Sequence, residues 1–381
     1  MTAQVTRPAE ASCQGVIGGP PAGPTRPGPA LDGRRRVDVA LRGIRVAVPV
    51  SRRGGAGPSD DGHISLDGIP AAVPVDPTSP YSMSQGRLLF DGVDTGVSVD
   101  TGRRPRFYDL QTADGVGYDK IALLHGVDVL ASTVVQTCMR YDEQDRCRFC
   151  AVEAPLATGA PIAVKTPAML AEVTRAAVEL DGIRQAVLTT GTSVGRDRGA
   201  RHLARCVRAM TAAVPGLPVQ VQIEPPPDLS AIDELHAAGA TAIGIHVESL
   251  DQAVRERWMP GKSTVPLSDY RSAWVEAVRV FGRNRVSTYL LVGLGEDPEE
   301  MIAGAAELVE MGVYPFVVPF RPLAGTLATE VDGVTAPPAW QLDRVTEGVG
   351  ALLRAAGVRG ADQGAGCAAC GACSALSAVG A

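Results

Sequence analysis

Six of the chain's eight cysteines fall in two tight sets. Cys138, Cys147 and Cys150 sit in CMRYDEQDRCRFC, and Cys367, Cys370 and Cys373 in GCAACGACSAL; Cys13 and Cys206 stand alone. Thiolates grouped in this way are ligands for iron–sulfur clusters or for zinc. Three thiols from one loop leave one iron of a [4Fe–4S] cube without a protein ligand. That open corner can chelate an amino acid through its amino and carboxylate groups. Zinc would need a fourth ligand, and the nearest histidine, His125, lies on the far side of the preceding strand. The second set, at even CxxCxxC spacing, suits an auxiliary iron–sulfur cluster as well as it suits a zinc site or an unliganded tail. Its fourth ligand would come from Cys13 or Cys206, or the site would stay open.

The elements that must hold these residues follow from the apolar pattern. From residue 131 onward, short apolar runs alternate with helical periodicity. ASTVVQT, RQAVLTTGT, PVQVQIE, TAIGIHVES, RVSTYLLVGLGE and VYPFVVPFRP read as six strands. The intervening segments, PAMLAEVTRAAVEL and PEEMIAGAAELVEMG among them, read as helices, the latter with Pro near its start and Gly at its end. Six such units predict an α/β fold, a partial or full parallel (β/α) barrel. A barrel is favoured over an open dinucleotide-binding sheet. Polar residues recur at strand ends (TTGT, Glu224, His246 with Glu248, GLGE, Arg321), and no phosphate-cradling GxGxxG follows the first strand. Residues 1–36, rich in Pro, Gly, Ala and Arg, read as a disordered tail. Residues 37–130 read as a β-rich extension with a loop at 51–63, residues 131–357 as the barrel and 358–381 as a cysteine-rich tail. The Gly-rich GVRGADQGAG would let that tail fold back over the barrel mouth.

Composition narrows the function. Net charge is −6 and aromatics are 4%, so the core is aliphatic and no basic face suggests nucleic acid. Arg34–Arg36 and Arg103, Arg104 and Arg106 read as solvated loops. Neither a secretory signal nor a run of ~18 apolar residues is visible, which points to the cytoplasm and no membrane partner. In that compartment thiols bind metals more readily than they pair.

The cluster loop and the strand pattern, over roughly residues 131–357, resemble the radical S-adenosylmethionine (SAM) superfamily, in particular the branch containing biotin synthase. The resemblance implies a [4Fe–4S] cluster on Cys138, Cys147 and Cys150, with SAM on the open iron. CRFC is similar to the family's Cys-x-aromatic-Cys ending, which implies that Phe149 packs near the adenine. TTGT implies Thr189, Thr190 and Gly191 near the SAM amino group. HVESLD implies that Glu248 reaches the ribose, a role also open to Glu224. DYR implies that Arg271 pairs with the SAM carboxylate. VGLGE brings in Gly293 and Gly295, and PLAGTLA resembles the segment after the sixth strand. Two features depart from the family. The cysteine spacing is eight residues then two, where the family has three then two. The strands VLTTGT, VQVQIEPP and RVSTYLL lack the cysteines that hold biotin synthase's sulfur-donor cluster. End to end, the chain also resembles a bacterial radical SAM family encoded beside a nitrilase, which implies nitrile-linked metabolism.

The implied activity is reductive cleavage of SAM to a 5′-deoxyadenosyl radical that abstracts hydrogen from a small molecule. An external donor such as flavodoxin or ferredoxin would supply the electron. The alternatives are a non-catalytic iron–sulfur or zinc-binding scaffold and a zinc hydrolase or aldolase. Against the aldolase, no lysine falls at an expected strand end. Among other residues, His246 reads as a hydrogen-bonded core histidine and Cys206 as buried and inert. Trp258 and Met259 suit either core packing or a cover over the mouth. Arg321 suits either an anionic substrate or an ion pair.

Overall fold

The structure, a computed structural model, describes residues 32–46, 64–102 and 104–379. Cys13, Arg103, the 51–63 loop and most of the N-terminal tail therefore lie outside the described residues.

Five short strands, β1 (Ile64–Leu66), β2 (Ile69–Ala71), β3 (Tyr81–Ser84), β4 (Arg87–Phe90) and β5 (Val93–Asp100), form an antiparallel sheet in the order β2-β1-β5-β4-β3. The segment before it differs from its sequence reading. GRRRVDVALR is not strand-like but forms a helix, α1 (Gly33–Arg42), capped by Asp32, whose side chain accepts from Arg35 N at 2.7 Å. Its apolar positions Val37 and Val39 and the Arg36 side chain are buried, so residues 33–36 belong to this helix rather than to a tail.

The second sheet has seven strands: β6 (Leu123–His125), β7 (Val129–Thr133), β8 (Gln185–Thr189), β9 (Val219–Ile223), β10 (Ala242–Ile245), β11 (Val286–Val292) and β12 (Val313–Pro319). They follow in spatial sequence from β6 to β12, parallel throughout except for the antiparallel β6. β6 and β12 are edges, so the sheet is a curled half-barrel rather than a closed ring. Helices α2 (Pro167–Asp181), α3 (Ala200–Ala213), α4 (Ser230–Ala237), α5 (Gln252–Trp258), α6 (Pro260–Ser263), α7 (Leu267–Phe281), α8 (Pro298–Met311), α9 (Leu327–Glu330) and α10 (Ala339–Ala355) fall between and after the strands. β10 and β12 are buried at every position, as strands covered on both faces must be. Local signals set the helix starts. Thr166 caps α2 ahead of Pro167, and Asp297 accepts from Glu299 N and Glu300 N at the start of α8.

The C-terminal tail, with the short helix α11 (Cys367–Cys370), does not cover the barrel mouth. It enters where the strands begin. Gly366 N donates to Gln185 Oε1 at 2.7 Å, Cys367 N to Gln220 Oε1 at 3.3 Å, and Gln363 Nε2 to Val286 O at 3.5 Å. It then runs to the open side of the half-barrel, where Arg321, just beyond β12, donates to Cys373 O at 3.2 Å. The N-terminal unit packs on its outer side, with Ala72 N donating to Ala372 O at 2.7 Å. Among the described residues no helix is long and apolar enough to cross a membrane.

Candidate functional site

Beyond the C-terminal ends of β8, β9 and β10 lies a cavity lined by Cys138, Cys147 and Cys150. The loop that carries them is anchored on several sides. Cys138 N donates to Glu153 Oε1 at 2.8 Å, Met139 N to Thr192 O at 2.8 Å, and Arg148 N to Trp258 O at 2.8 Å. Gly191 is required by close approach. A Cβ there would run into the backbone carbonyl of Thr137 and against Cys138. Gly261 does the same on the other side, where a Cβ would lie 2.6 Å from Asp145 O. The long spacing between Cys138 and Cys147 is thus taken up by a turn wedged between the end of β8 and helix α6. Burial pushes both later thiols up, Cys150 to about 11 and Cys147 further, while Lys262 pulls against it. A metal taking these ligands must displace their protons.

Phe149, Thr189, Thr190, Gly191, Glu224 and Glu248 all line the same cavity. Glu224, however, is no solvated strand-end carboxylate. It is 8% exposed and takes a two-pronged pair from Arg140, Nη2 to Oε1 at 2.7 Å and Nε to Oε2 at 3.0 Å. Thr192 adds a third bond at 3.1 Å. Glu248 follows β10 with φ of 61°, a left-handed backbone that a glutamate adopts only when its surroundings impose it. The imposing contacts come from β11: Glu248 N donates to Tyr289 O and its carbonyl accepts from Leu291 N. The side chain meets Lys262 Nζ at 2.5 Å. Burial raises the Glu248 carboxyl even against that lysine. Burial also opposes the charge on Lys262, but Glu248 outweighs it and holds the ammonium.

Three expected residues are elsewhere. Arg271 lies on the outer face of α7, half-exposed and paired with Glu307 on α8 at 2.7 Å, because its position in the helical period faces solvent. Gly293 and Gly295 border a separate groove beneath Pro337 and Pro338. The cations that do serve the cavity are Arg140 and Lys262, with Arg198 3.8 Å from Glu224.

His246 also differs from its reading. It is 9% exposed and stacks on Tyr289 (centroids 3.8 Å, planes 6° apart), yet neither ring nitrogen has a hydrogen-bond partner among the described residues. It lines the cavity floor. Burial, then Lys262, lowers its pKa to about 3, so the ring is neutral. Gly244, two residues back on the same strand face, leaves room for it, since a Cβ there would lie 2.5 Å from the ring. That Gly-x-His pair was the signal in the sequence. Trp258 is core: 3% exposed, its indole donates to Leu294 O at 2.6 Å.

The tail thiols form a second assembly below this floor. Gln222 lines the cavity and donates to Cys367 Sγ at 3.3 Å; Tyr289, under His246, touches the same sulfur at 2.8 Å. His125 Nε2 approaches Cys373 Sγ to 4.0 Å. Arg36 is 2% exposed and donates to Pro70 O, Gly371 O and Ser374 O. Arg321 donates to the carbonyls of Cys373 and Ala72. Cys206 lies apart, buried on α3 beside Lys165 and His202. Among the described residues no three His, Cys, Asp or Glu side chains converge as a single metal ion needs.

The sequence profile of the Radical SAM superfamily matches residues 143–309, from within the cluster loop to the end of α8. Residues 143–309 are a radical SAM domain. The match covers less than half of the chain, and the loop, strand ends and cavity just described fall in or beside the matched residues. A curated relative, bacteriochlorophyllide c C-7(1)-hydroxylase of Chlorobaculum limnaeum, is 30% identical over 111 residues, 29% of this chain. The match spans about a quarter of that relative's length, 27%. Among solved structures, methylornithine synthase (PylB) is similar at 15% identity and a TM-score of 0.44, over 66% of this chain and 78% of that one. HydG of Carboxydothermus hydrogenoformans, a FeFe-hydrogenase maturase, is similar at 16% identity and 0.44, over 60% and 50%. The coproporphyrinogen III oxidase HemN of Escherichia coli is similar at 14% and 0.39, over 56% and 50%. At these scores the likenesses are loose.

Proposed function

We propose that this protein binds a [4Fe–4S] cluster through Cys138, Cys147 and Cys150 and reductively cleaves SAM there, to abstract hydrogen from a small molecule. The observation that carries the reading is the cavity itself. Three thiols from one loop face strand-end hydroxyls, two carboxylates and two buried cations in a single pocket inside a radical SAM domain. With the cluster and SAM bound, one-electron reduction of the cluster breaks a carbon–sulfur bond in SAM and yields the 5′-deoxyadenosyl radical. The chain's residues do the rest. The Glu248–Lys262 and Glu224–Arg140 pairs set a charged but internally balanced wall, Thr189, Thr190 and Gly191 form the near rim, and Phe149 is the apolar contact beside the thiols. Lys262 and Arg140, not Arg271, are the cations available to a carboxylate in the cavity.

The electron comes from an external low-potential donor of the flavodoxin or ferredoxin kind. Cys367, Cys370 and Cys373 hold a second, auxiliary iron–sulfur cluster. The likeness to the biotin synthase branch and to the nitrilase-associated family favours a small nitrile-linked substrate. The test is anaerobic reconstitution, reduction with dithionite and chromatography of the products, with labelled SAM and candidate small nitriles and amines. 5′-Deoxyadenosine is expected, and its loss is expected in a Cys147→Ala variant. Labile sulfide with no cleavage of SAM under any of these conditions would favour an iron–sulfur scaffold, and zinc without sulfide would overturn the reading altogether.

A further inference from the structure

The tail thiols are surrounded by groups that a mobile or empty tail would not need. Arg36 is nearly fully buried, meets only backbone carbonyls, and has its Nη1 without a partner among the described residues. A buried guanidinium needs a compensating negative charge. None is offered by the carbonyls it meets at Gly371 and Ser374, the residues that follow Cys370 and Cys373, and a cluster bound by those thiols would supply it. Donors also converge on Cys367, from Gln222 and Tyr289. On the remaining side stands the end of β6. Gly126 has φ of 65°, and a Cβ on it would lie 2.8 Å from Cys370 Sγ, so the chain there is pressed against the thiol. The residue before it, His125, brings its ring Nε2 to 4.0 Å from Cys373 Sγ.

We propose that His125 is the fourth ligand of the tail site, which with Cys367, Cys370 and Cys373 makes a closed Cys3His iron–sulfur centre at the base of the half-barrel. The assignment rests on the tail thiols holding a cluster, as read above. A cluster with every iron liganded exchanges electrons but offers no corner for chelating a substrate. The substrate's place is then the upper cavity alone, with the Gln222, His246 and Tyr289 layer between the two sites. No spacing pattern points to this ligand, because His125 lies more than two hundred residues before the thiols and reaches them through the fold, at the end of β6.

The experiment uses the full chain with Cys138, Cys147 and Cys150 changed to Ala, which retains only the tail site. After anaerobic reconstitution and reduction, pulsed EPR on protein with 15N-labelled histidine should show coupling of one histidine nitrogen to the cluster. Adding His125→Cys, which keeps four ligands, should abolish that coupling, leave iron per chain unchanged and lower the reduction potential, since imidazole ligation raises it. A cluster with no nitrogen coupling overturns the assignment and points to a thiol such as Cys13, and a coupling that survives His125→Cys overturns it in favour of another histidine. Absence of iron from the tail-only protein removes the auxiliary cluster itself, a distinguishable failure that takes the ligand assignment with it.

Discussion

At the scale of single residues, the cavity is defined by groups whose charge state is set by burial. His246 is neutral because its folded pKa lies near 3, while the unfolded chain takes up the proton near 6.5. The unfolded state therefore binds more protons below pH 6.5, and stability falls as pH drops from 6.5 toward 3, by up to about 1.4 kcal/mol per pH unit. Glu296 has the opposite sign. Burial raises its carboxyl from 4.5 to about 7, so the folded state keeps a proton that the unfolded state loses. Its contribution is lost as pH rises from 4.5 to 7. The two oppose each other between pH 4.5 and 6.5. Denaturant titrations across that window should show stability rising with pH in Glu296→Gln and falling with pH in His246→Phe, which retains the stack on Tyr289. Parallel slopes in the two variants would contradict both assignments. Neither residue was legible as titrating from the sequence. His246 reads as core because the residues around it are apolar, and only the absence of any nearby acceptor or donor separates a satisfied histidine from this one. Lys262 was equally hidden. It carries no role in the sequence reading, whereas α6 places it against Glu248.

At the scale of elements, what the sequence carries best is periodicity. The six expected parallel strands and their helices are all present, because near-continuous apolar runs and capped, Gly-terminated amphipathic segments are local signals. The helix at Gly33–Arg42 was missed because its apolar residues are few and it buries an arginine, which no pattern of apolar spacing anticipates. Close contact between elements is the other thing that patterns omit. Gly191 was read as a ligand contact, but its backbone also packs against the root of the cluster loop. Gly191→Ala should therefore force β8's end and the loop apart, with a cost of about 1–3 kcal/mol as in other overpacked sites. The more telling readout is iron: the variant should reconstitute with less iron and sulfide at the first site while far-ultraviolet circular dichroism stays unchanged. Full loading at that site would show that the loop moves without cost. Lys262→Met, by contrast, leaves the loop in place but strands Glu248 without its partner. It should lower SAM cleavage while cluster absorbance is retained.

At the scale of the whole molecule, the half-barrel is completed by pieces from both ends of the chain. β6 and β12 leave a gap, the tail crosses it, and the N-terminal unit covers the tail. Arg36 joins the last two, and Arg321 ties them to the half-barrel. The Arg36 guanidinium bonds Pro70 in the N-terminal unit and Gly371 and Ser374 in the tail, while Arg321 beyond β12 reaches Ala72 and Cys373 beside it. Such a junction is invisible to motif reading, since it depends on backbone carbonyls that any sequence supplies. It is also demanding of residue type. Arginine serves these carbonyls from two nitrogens of a planar fork, whereas lysine's three N–H groups all radiate from one atom and do not reproduce that spread. Arg36→Lys should thus behave as a disruptive change. Each carbonyl left without a donor costs about 1–3 kcal/mol. The expected result is lower thermal stability together with earlier proteolytic cleavage of both the residues before β1 and the tail, because the two segments hold each other down. Release of only one of them, or unchanged proteolysis in Arg36→Lys, would mean that the N-terminal unit and the tail dock independently and that the base of the half-barrel is closed without this residue.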